Sequence, residues 1–504
     1  MKSGKVWLVG AGPGDIGLFT LKGKKILEQA EVVVYDSLVG DGVLAMVPKG
    51  VKTINVGKRA GHHLVPQDQI NRILLKEAQK GYRVVRLKGG DPFLFGRGGE
   101  ELELLKEHQI PFEVVPGVTS SIAVPAYNGI PVTHRDYCSS VHIITGHKKA
   151  GQEYDINFKA LVDTKGTLVF LMGVTALEDI CTNLIRAGMA PDTPAAVLQQ
   201  GTTAGQKKIV STVSQLKAQV ERQGIKTPAI IVVGGVCENA DKFSWYEYLP
   251  LFGCKVLVTR PKELTSVMAE KLRMQGAEVL ELPAIAVSAV KDRTEIKKEL
   301  ECIDSYQWMA FTSPSGVRIF FDEYMRELRM DIRRLGNLKI AALGTGTGRA
   351  LEERGIFPDL MPKVFDGKAL GEELAAKCEP GARILIPRAA IGTKELLEAL
   401  QVRDDLAVTD LPIYDTVYEQ SELVDEVKFF EQTGLHCAVF TSASTVRGFV
   451  NAVPGLDYTK VTAACIGKQT KAAADEFGMK TYMAEQATID SLTDLVIKLK
   501  HHLG

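Results

Sequence analysis

The 504-residue chain is 45% hydrophobic and 24% charged, with 61 basic against 61 acidic side chains. That length predicts about three domains, the neutral balance excludes a polycationic nucleic-acid binder, and charges interrupting every apolar run exclude a membrane-spanning helix. Its eight cysteines stand no closer than 17 residues apart, without C-x-x-C or H-E-x-x-H spacing, so no metal is expected and the thiols read as small core residues of a reduced, cytoplasmic protein.

Lys5–Val9 reads as a buried strand running into Gly10-Ala11-Gly12-Pro13-Gly14-Asp15. A dinucleotide fingerprint needs glycine where Asp15 stands, and Pro13 lacks an N–H that a pyrophosphate cradle would use. A nicotinamide enzyme is therefore the weaker reading, although Asp36 closes the next strand, Val32–Tyr35, where a ribose-binding acid is expected. Further on, Val84-Val85-Arg86-Leu87 leads to the loop Gly89–Gly99, with five glycines around Asp91, Phe93 and Phe95. Glycine lets backbone groups approach a ligand closely, and strand-end loops are where open α/β sheets bind small molecules. Residues 1–250 carry 29 Lys and Arg against 24 Asp and Glu, a slight excess suited to a polyanionic small molecule.

Ile230–Gly235 reads as the last strand of the first half, and the polar, aromatic stretch Glu238–Leu251 as a linker. Gly253–Pro261 restarts a strand, which places a domain boundary near residue 250. Beyond it the chain nearly repeats itself. Met309–Val317 is echoed by Ala438–Val446, and Ile340–Thr347 by Ala463–Thr470. Each copy is an apolar strand, a Gly- or hydroxyl-rich turn and a helical pattern, which predicts two similar α/β lobes. The turns' Ser and Thr residues are either helix N-caps or the rim of a shared ligand cleft.

Across residues 3–245, nine segments occur in one order: Val9–Asp15, Tyr35–Val39, Gly57-Lys58, Val85–Phe93, Pro116–Ser121, Ile130–Arg135, Thr145–His147, Leu171–Gly173 and Thr193–Ala196. In that order they resemble the tetrapyrrole methylase family, in its uroporphyrinogen-III C-methyltransferase branch. The resemblance implies two α/β subdomains, S-adenosylmethionine as cosubstrate, Asp36 as proton acceptor and Lys58 as proton donor. It places Pro13, Gly89, Gly90, Asp91, Leu94, Thr119, Ser120, Met172 and Gly201 on the cosubstrate, and implies a homodimer through the methylase domain. Without it, Asp36 reads as a strand-end cap, Lys58 as a solvated charge, and Leu94 and Met172 as core side chains.

Residues 253–504 carry weaker marks: Val258–Pro261, Phe311–Pro314, Gly344–Thr347, Ile386–Arg388, Ile413–Thr416, Phe440–Ser442 and Ile466–Thr470. They resemble uroporphyrinogen-III synthases, with one departure, Ser315, where some members carry arginine. The implied fold is bilobal, with lobe 1 made of residues 253–285 and 416–504 and lobe 2 of residues 289–411. Tyr414 is implied to assist loss of the substrate hydroxyl, and Thr312, Ser313, Thr347, Arg388, Ser442 and Thr470 to bind substrate. Together the two resemblances imply an α/β bifunctional enzyme, with a methylase at 1–245 and a synthase at 253–504. It would close hydroxymethylbilane to uroporphyrinogen III and methylate that product to precorrin-2, on the siroheme and cobalamin branch. The rival readings are an oxidoreductase, suggested by the Gly10–Gly14 turn alone, and a non-catalytic tetrapyrrole-binding second half, suggested by Ser315.

Overall fold

The computed structural model describes residues 4–57, 65–146, 155–261, 267–391, 394–418 and 436–503. It forms two compact units, one of Met1–Arg260, Thr265–Leu282 and Ser421–Gly504, the other of Pro261–Leu264 and Pro283–Gln420.

The first unit begins with β1 (Lys5–Gly10), β2 (Val32–Tyr35), β3 (Lys52–Asn55), β4 (Arg83–Lys88) and β5 (Phe112–Val115). They pair in parallel in the order β3-β2-β4-β1-β5. A parallel strand covered on both faces reads as a continuous apolar run, and Val32, Val33 and Val34 are all buried. Leu74 and Leu105, from helices Gln67–Gln79 and Gly98–Glu107, pack into the same core. The arrangement leaves β1 and β4 adjacent, so the loops that follow them emerge side by side.

Glu113 on β5 accepts from Lys5 Nζ at 2.7 Å and Trp7 Nε1 at 3.2 Å, and pairs with Lys22 at 2.6 Å. The Lys22 and Lys5 ammonium groups pull its carboxyl from 4.5 down to about 2. A folded value below the ordinary one stabilises the fold above pH 4.5 and is lost as pH falls toward 2. Glu113→Gln should therefore shed part of the chain's acid sensitivity, read as a flatter melting-temperature profile between those two pH values. The gain is small, because partly exposed ion pairs are screened.

The second sheet holds β6 (Val141–Thr145), β7 (Thr167–Leu171), β8 (Pro194–Gln199), β9 (Lys207–Thr212) and β10 (Ala229–Val233). Its order is β6-β7-β10-β8-β9, with β6 and β7 parallel and the remaining pairs antiparallel. The stretch expected to be a linker is instead packed. Tyr246 is buried among Tyr127, Trp245 and Phe252, with ring centroids 4.8–5.5 Å away. Aromatic rings of that size bury more than a free linker would leave to water.

Next come β11 (Lys255–Pro261), β12 (Glu278–Ala289), β13 (Trp308–Phe311), β14 (Lys339–Ala342), β15 (Arg383–Ala389) and β16 (Ala407–Tyr418). The second unit has the order β14-β13-β15-β16-β12. The first unit closes with β17 (His436–Phe440), β18 (Thr462–Cys465) and β19 (Lys480–Met483), in the order β12-β11-β17-β18-β19. The internal repeat is real in three dimensions: β13 pairs in parallel with β14 just as β17 does with β18. The units part at residues 282/283 and 420/421, rather than at the expected 285 and 416. The reason is that β12 and β16 pair antiparallel from Ile285↔Tyr418 to Ala289↔Tyr414, which draws both strand ends into one unit. No helix among the described residues is long and apolar enough to cross a membrane.

Candidate functional site

The two glycine-rich loops singled out in the sequence are bonded to each other. Ala11 N donates to Lys88 O at 2.7 Å, Gly90 N to Gly12 O at 2.8 Å and Gly12 N to Gly90 O at 3.2 Å. A Cβ on Gly10 would lie 2.5 Å from Gly117 Cα, and one on Gly117 would lie 2.2 Å from Gly90 O. Three backbones therefore meet where no side chain fits. Gly90 itself has φ +65°, and a Cβ there would meet nothing within 4 Å. Its outer face is open, as a loop that receives a ligand requires.

Asp91 organises this junction. Its Oδ1 accepts from Phe93 N at 2.8 Å and Leu94 N at 3.2 Å, and its Oδ2 from Gly117 N at 2.9 Å. Thr119 caps helix Ser120–Tyr127, accepting from Ser121 N, and Ser120 is the first helical residue. Met172 follows β7 with φ 57° and is 52% exposed, so it is not a core side chain. Leu94 is partly buried against the second subdomain's core. Pro13 is half-buried between Gly12 and Gly14, and Gly201 is buried against Val124.

Beside Gly201, Thr202 holds φ 73°, a costly value for a β-branched residue. Its N–H donates to Gln206 Oε1 at 3.0 Å, and its Oγ1 accepts from Asp15 N at 3.1 Å. Asp15 also accepts from Tyr127 Oη at 2.8 Å, and burial raises that phenol further above its ordinary range. The Gly-rich N-terminal loop is thereby tied to the second subdomain. Gly14, Asp15 and Thr202 also line a small cleft completed by Arg273 and Glu278. Sequence reasoning missed Thr202, Gln206 and Tyr127, whose roles depend on partners far along the chain.

Asp36 stands at the end of β2. Its Oδ1 accepts from Leu38 N at 3.0 Å, as a strand-end cap does, and its Oδ2 faces Arg86 Nη2 at 3.4 Å. Arg86, Lys88 and Glu101 are buried behind it. The only advance signal for this cluster was the placing of Arg86 and Lys88 beside the apolar residues Val84, Val85 and Leu87 of a central strand. Lys58 lies outside the described residues.

In the second unit, Ser313 Oγ and Tyr414 Oη are 2.7 Å apart, and Ser313 accepts from Gly316 N at 3.0 Å. Burial raises the Tyr414 phenol, against smaller opposing effects of Ser313 and Arg388. Thr312 precedes Ser313 half-buried, and Thr347 is buried in helix Thr345–Glu352. Arg388 is paired within the fold: Nε and Nη2 both hold Asp410 at 2.6 Å, and Nη1 donates to Ala389 O at 2.8 Å. In the first unit, Ser442 caps helix Ala443–Ala452, and Thr470 is buried in helix Lys468–Asp475. Capping thus accounts for Ser313 and Ser442 locally. The equivalent caps Gly344 and Gly467 carry no side-chain bond.

Two α/β subdomains joined at ligand-open glycine loops, followed by two repeated α/β lobes, define a two-part enzyme acting on small molecules. Residues 5–217 match the family of Tetrapyrrole (Corrin/Porphyrin) Methylases, and residues 266–494 match Uroporphyrinogen-III synthase HemD. A porphyrin biosynthesis protein HemD of Ruminiclostridium josui is 45% identical over 499 residues, 99% of each chain. A uroporphyrinogen-III C-methyltransferase of Bacillus subtilis is 40% identical over 385 residues, 75% of this chain and 78% of that one. The solved uroporphyrin-III C-methyltransferase of Thermus thermophilus, complexed with S-adenosyl homocysteine, is 38% identical, covers 46% of this chain and 99% of its own, and gives a TM-score of 0.40. The chain belongs to the tetrapyrrole methylases through its first half and to the uroporphyrinogen-III synthases through its second.

Proposed function

We propose that the chain converts hydroxymethylbilane to uroporphyrinogen III in residues 253–504 and methylates that product at C2 and C7 in residues 1–245, giving precorrin-2. The observation that carries this reading is the fusion itself: the two families joined here act on consecutive tetrapyrroles. A relative 45% identical over 99% of each chain aligns through both halves. Closure removes the terminal hydroxyl as water and inverts the last pyrrole ring. Each methylation then adds one methyl to a ring carbon and releases one proton from the macrocycle. Incubating the pure protein with hydroxymethylbilane and S-adenosylmethionine should produce the absorbance of precorrin-2. Accumulation of unmethylated uroporphyrinogen III, or no closure to the type III isomer, would overturn the reading.

S-adenosylmethionine supplies the electrophilic methyl in this scheme. Pro13, Gly89, Gly90, Asp91, Leu94, Thr119, Ser120, Met172 and Gly201 are assigned to hold it. The open face of Gly90 supports this, as does the absence of any side chain where Gly10, Gly90 and Gly117 meet. Displacement at a sulfonium needs alignment more than covalent help, so placing the ring carbon supplies most of the rate. Exposed apolar side chains on strand-end loops, among them Leu38, Phe93 and Met172, suit the apolar body of a tetrapyrrole. Asp36 is assigned to take the released proton and Lys58 to donate one.

Asp91→Ala would remove the acceptor of three backbone amides, of which the part-buried Leu94 N and Gly117 N would each cost about 1–3 kcal/mol if left unpaired. Calorimetry should read at least a tenfold loss of S-adenosylmethionine affinity, about 1.4 kcal/mol, with some loss of thermal stability because the loop junction loosens. Unchanged affinity would remove Asp91 from the cosubstrate site. The methylase half is further assigned as a homodimer interface, so light scattering should return twice 54.9 kDa. A single-chain mass at micromolar concentration contradicts it.

A further inference from the structure

The charged residues behind Asp36 form a closed set. Glu101, fully buried on helix Gly98–Glu107, points its Oε1 at Arg86 Nε (3.1 Å), Lys88 Nζ (3.0 Å) and Gln67 Nε2 (3.3 Å). Its other oxygen, Oε2, is buried without a hydrogen-bond partner. Arg86 is gripped on every side. Nε meets Glu101, Nη1 donates to Leu87 O at 3.0 Å and lies 3.5 Å from Val34 O, and Nη2 faces Asp36 at 3.4 Å. The planar fork of a guanidinium transmits orientation, because fixing one edge fixes the direction of the other. Two cations and two carboxylates balance, and Asp36 is the member nearest water, with 23% of its side chain exposed against 0–7% for the others.

Burying a carboxylate with one oxygen unsatisfied is costly, and a pure stability role is better served by apolar packing. Glu101 is expensive in the place where it sits, directly behind the group assigned to proton transfer. Desolvation also pulls the Lys88 ammonium down, which Glu101 opposes.

We propose that Glu101 is a positioning residue for methyl transfer: it clamps the Arg86 guanidinium from behind and so fixes the Asp36 carboxylate toward the substrate. The proposal rests on the assignment of Asp36 as proton acceptor. Glu101 touches no reacting atom; it acts through Arg86.

The test uses the full-length chain and compares Glu101→Gln, Glu101→Asp, Arg86→Lys and Asp36→Asn. It reads kcat and the KM for S-adenosylmethionine in methyl transfer, with melting temperature as the fold control. Misplacing a reacting group by an ångström costs on the order of 10²-fold. Glu101→Gln should lose about that much kcat with an unchanged S-adenosylmethionine KM, and Glu101→Asp should recover part of it. Arg86→Lys keeps the charge but cannot span both carboxylates, so it should show the same split even if Glu101→Gln fails to fold. Wild-type kcat in a folded Glu101→Gln or in Arg86→Lys overturns the proposal, as does a loss shared equally by kcat, KM and melting temperature. Wild-type kcat in Asp36→Asn would instead sink the acceptor assignment, whereas a slow Asp36→Asn beside a fully active Glu101→Gln sinks the positioning role alone.

Discussion

Asp36→Asn in the full-length chain should slow methyl transfer by about 10²–10⁴-fold, the range that a positioned proton acceptor contributes. Asparagine keeps the shape of the side chain and one carbonyl oxygen, which can still accept from Leu38 N, now at 3.0 Å. What it loses is basicity. The side chain is 23% exposed, so substrate can reach it while Arg86 holds it from behind. Conversion of hydroxymethylbilane to uroporphyrinogen III should continue at the parent rate, which gives an internal control for folding and concentration. Single-turnover methylation with supplied uroporphyrinogen III separates the chemical step from binding. A rate within a factor of two of the parent would leave Asp36 as a strand-end cap and nothing more.

What the sequence disclosed follows from where each constraint is stored. Gly10, Gly12, Gly90 and Gly117 were legible because the demand for a missing side chain is written into the residue itself. β1 and β2 were legible because parallel strands buried on both faces leave continuous apolar runs. The repeat Met309–Val317 and Ala438–Val446 likewise announced β13 and β17 directly. The charged set behind Asp36 was not legible, since Glu101 lies 15 residues from Arg86 and on another element. The same holds for Tyr127 and Asp15, 112 residues apart, and for Arg388 and Asp410, 22 apart. Arg388 enters the substrate set through the resemblance alone, and its pairing with Asp410 on the neighbouring strand is not written in the local sequence. The supposed linker misled in the opposite sense. Its polar residues read as a linker, whereas Tyr246, whose ring is buried, was the better guide.

Tyr414→Phe should reduce closure to uroporphyrinogen III by at most about 10²–10⁴-fold and leave the fold intact. The ring is buried against Ser313 and Gly316, and phenylalanine preserves that packing while removing only the hydroxyl. Because burial raises the phenol, it stays protonated at neutral pH and is able to donate. Ser313 Oγ, which also accepts from Gly316 N, can either donate to or accept from Tyr414 Oη. When Ser313 is the donor, the tyrosine proton is left for a departing hydroxyl. Ser313→Ala should then slow closure as well, and should cost about 1 kcal/mol of stability through the lost helix cap. The readout is the isomer ratio, since hydroxymethylbilane closing without catalysis keeps its last ring uninverted and gives the type I product. A full-length Tyr414→Phe chain should shift the mixture toward type I at limiting enzyme, while supplied uroporphyrinogen III is still methylated normally. The effect shrinks if holding the bilane ends together supplies most of the rate. A parent-like isomer ratio in Tyr414→Phe removes the hydroxyl from the mechanism, and a parent chain that yields only type I makes the second half a binding module.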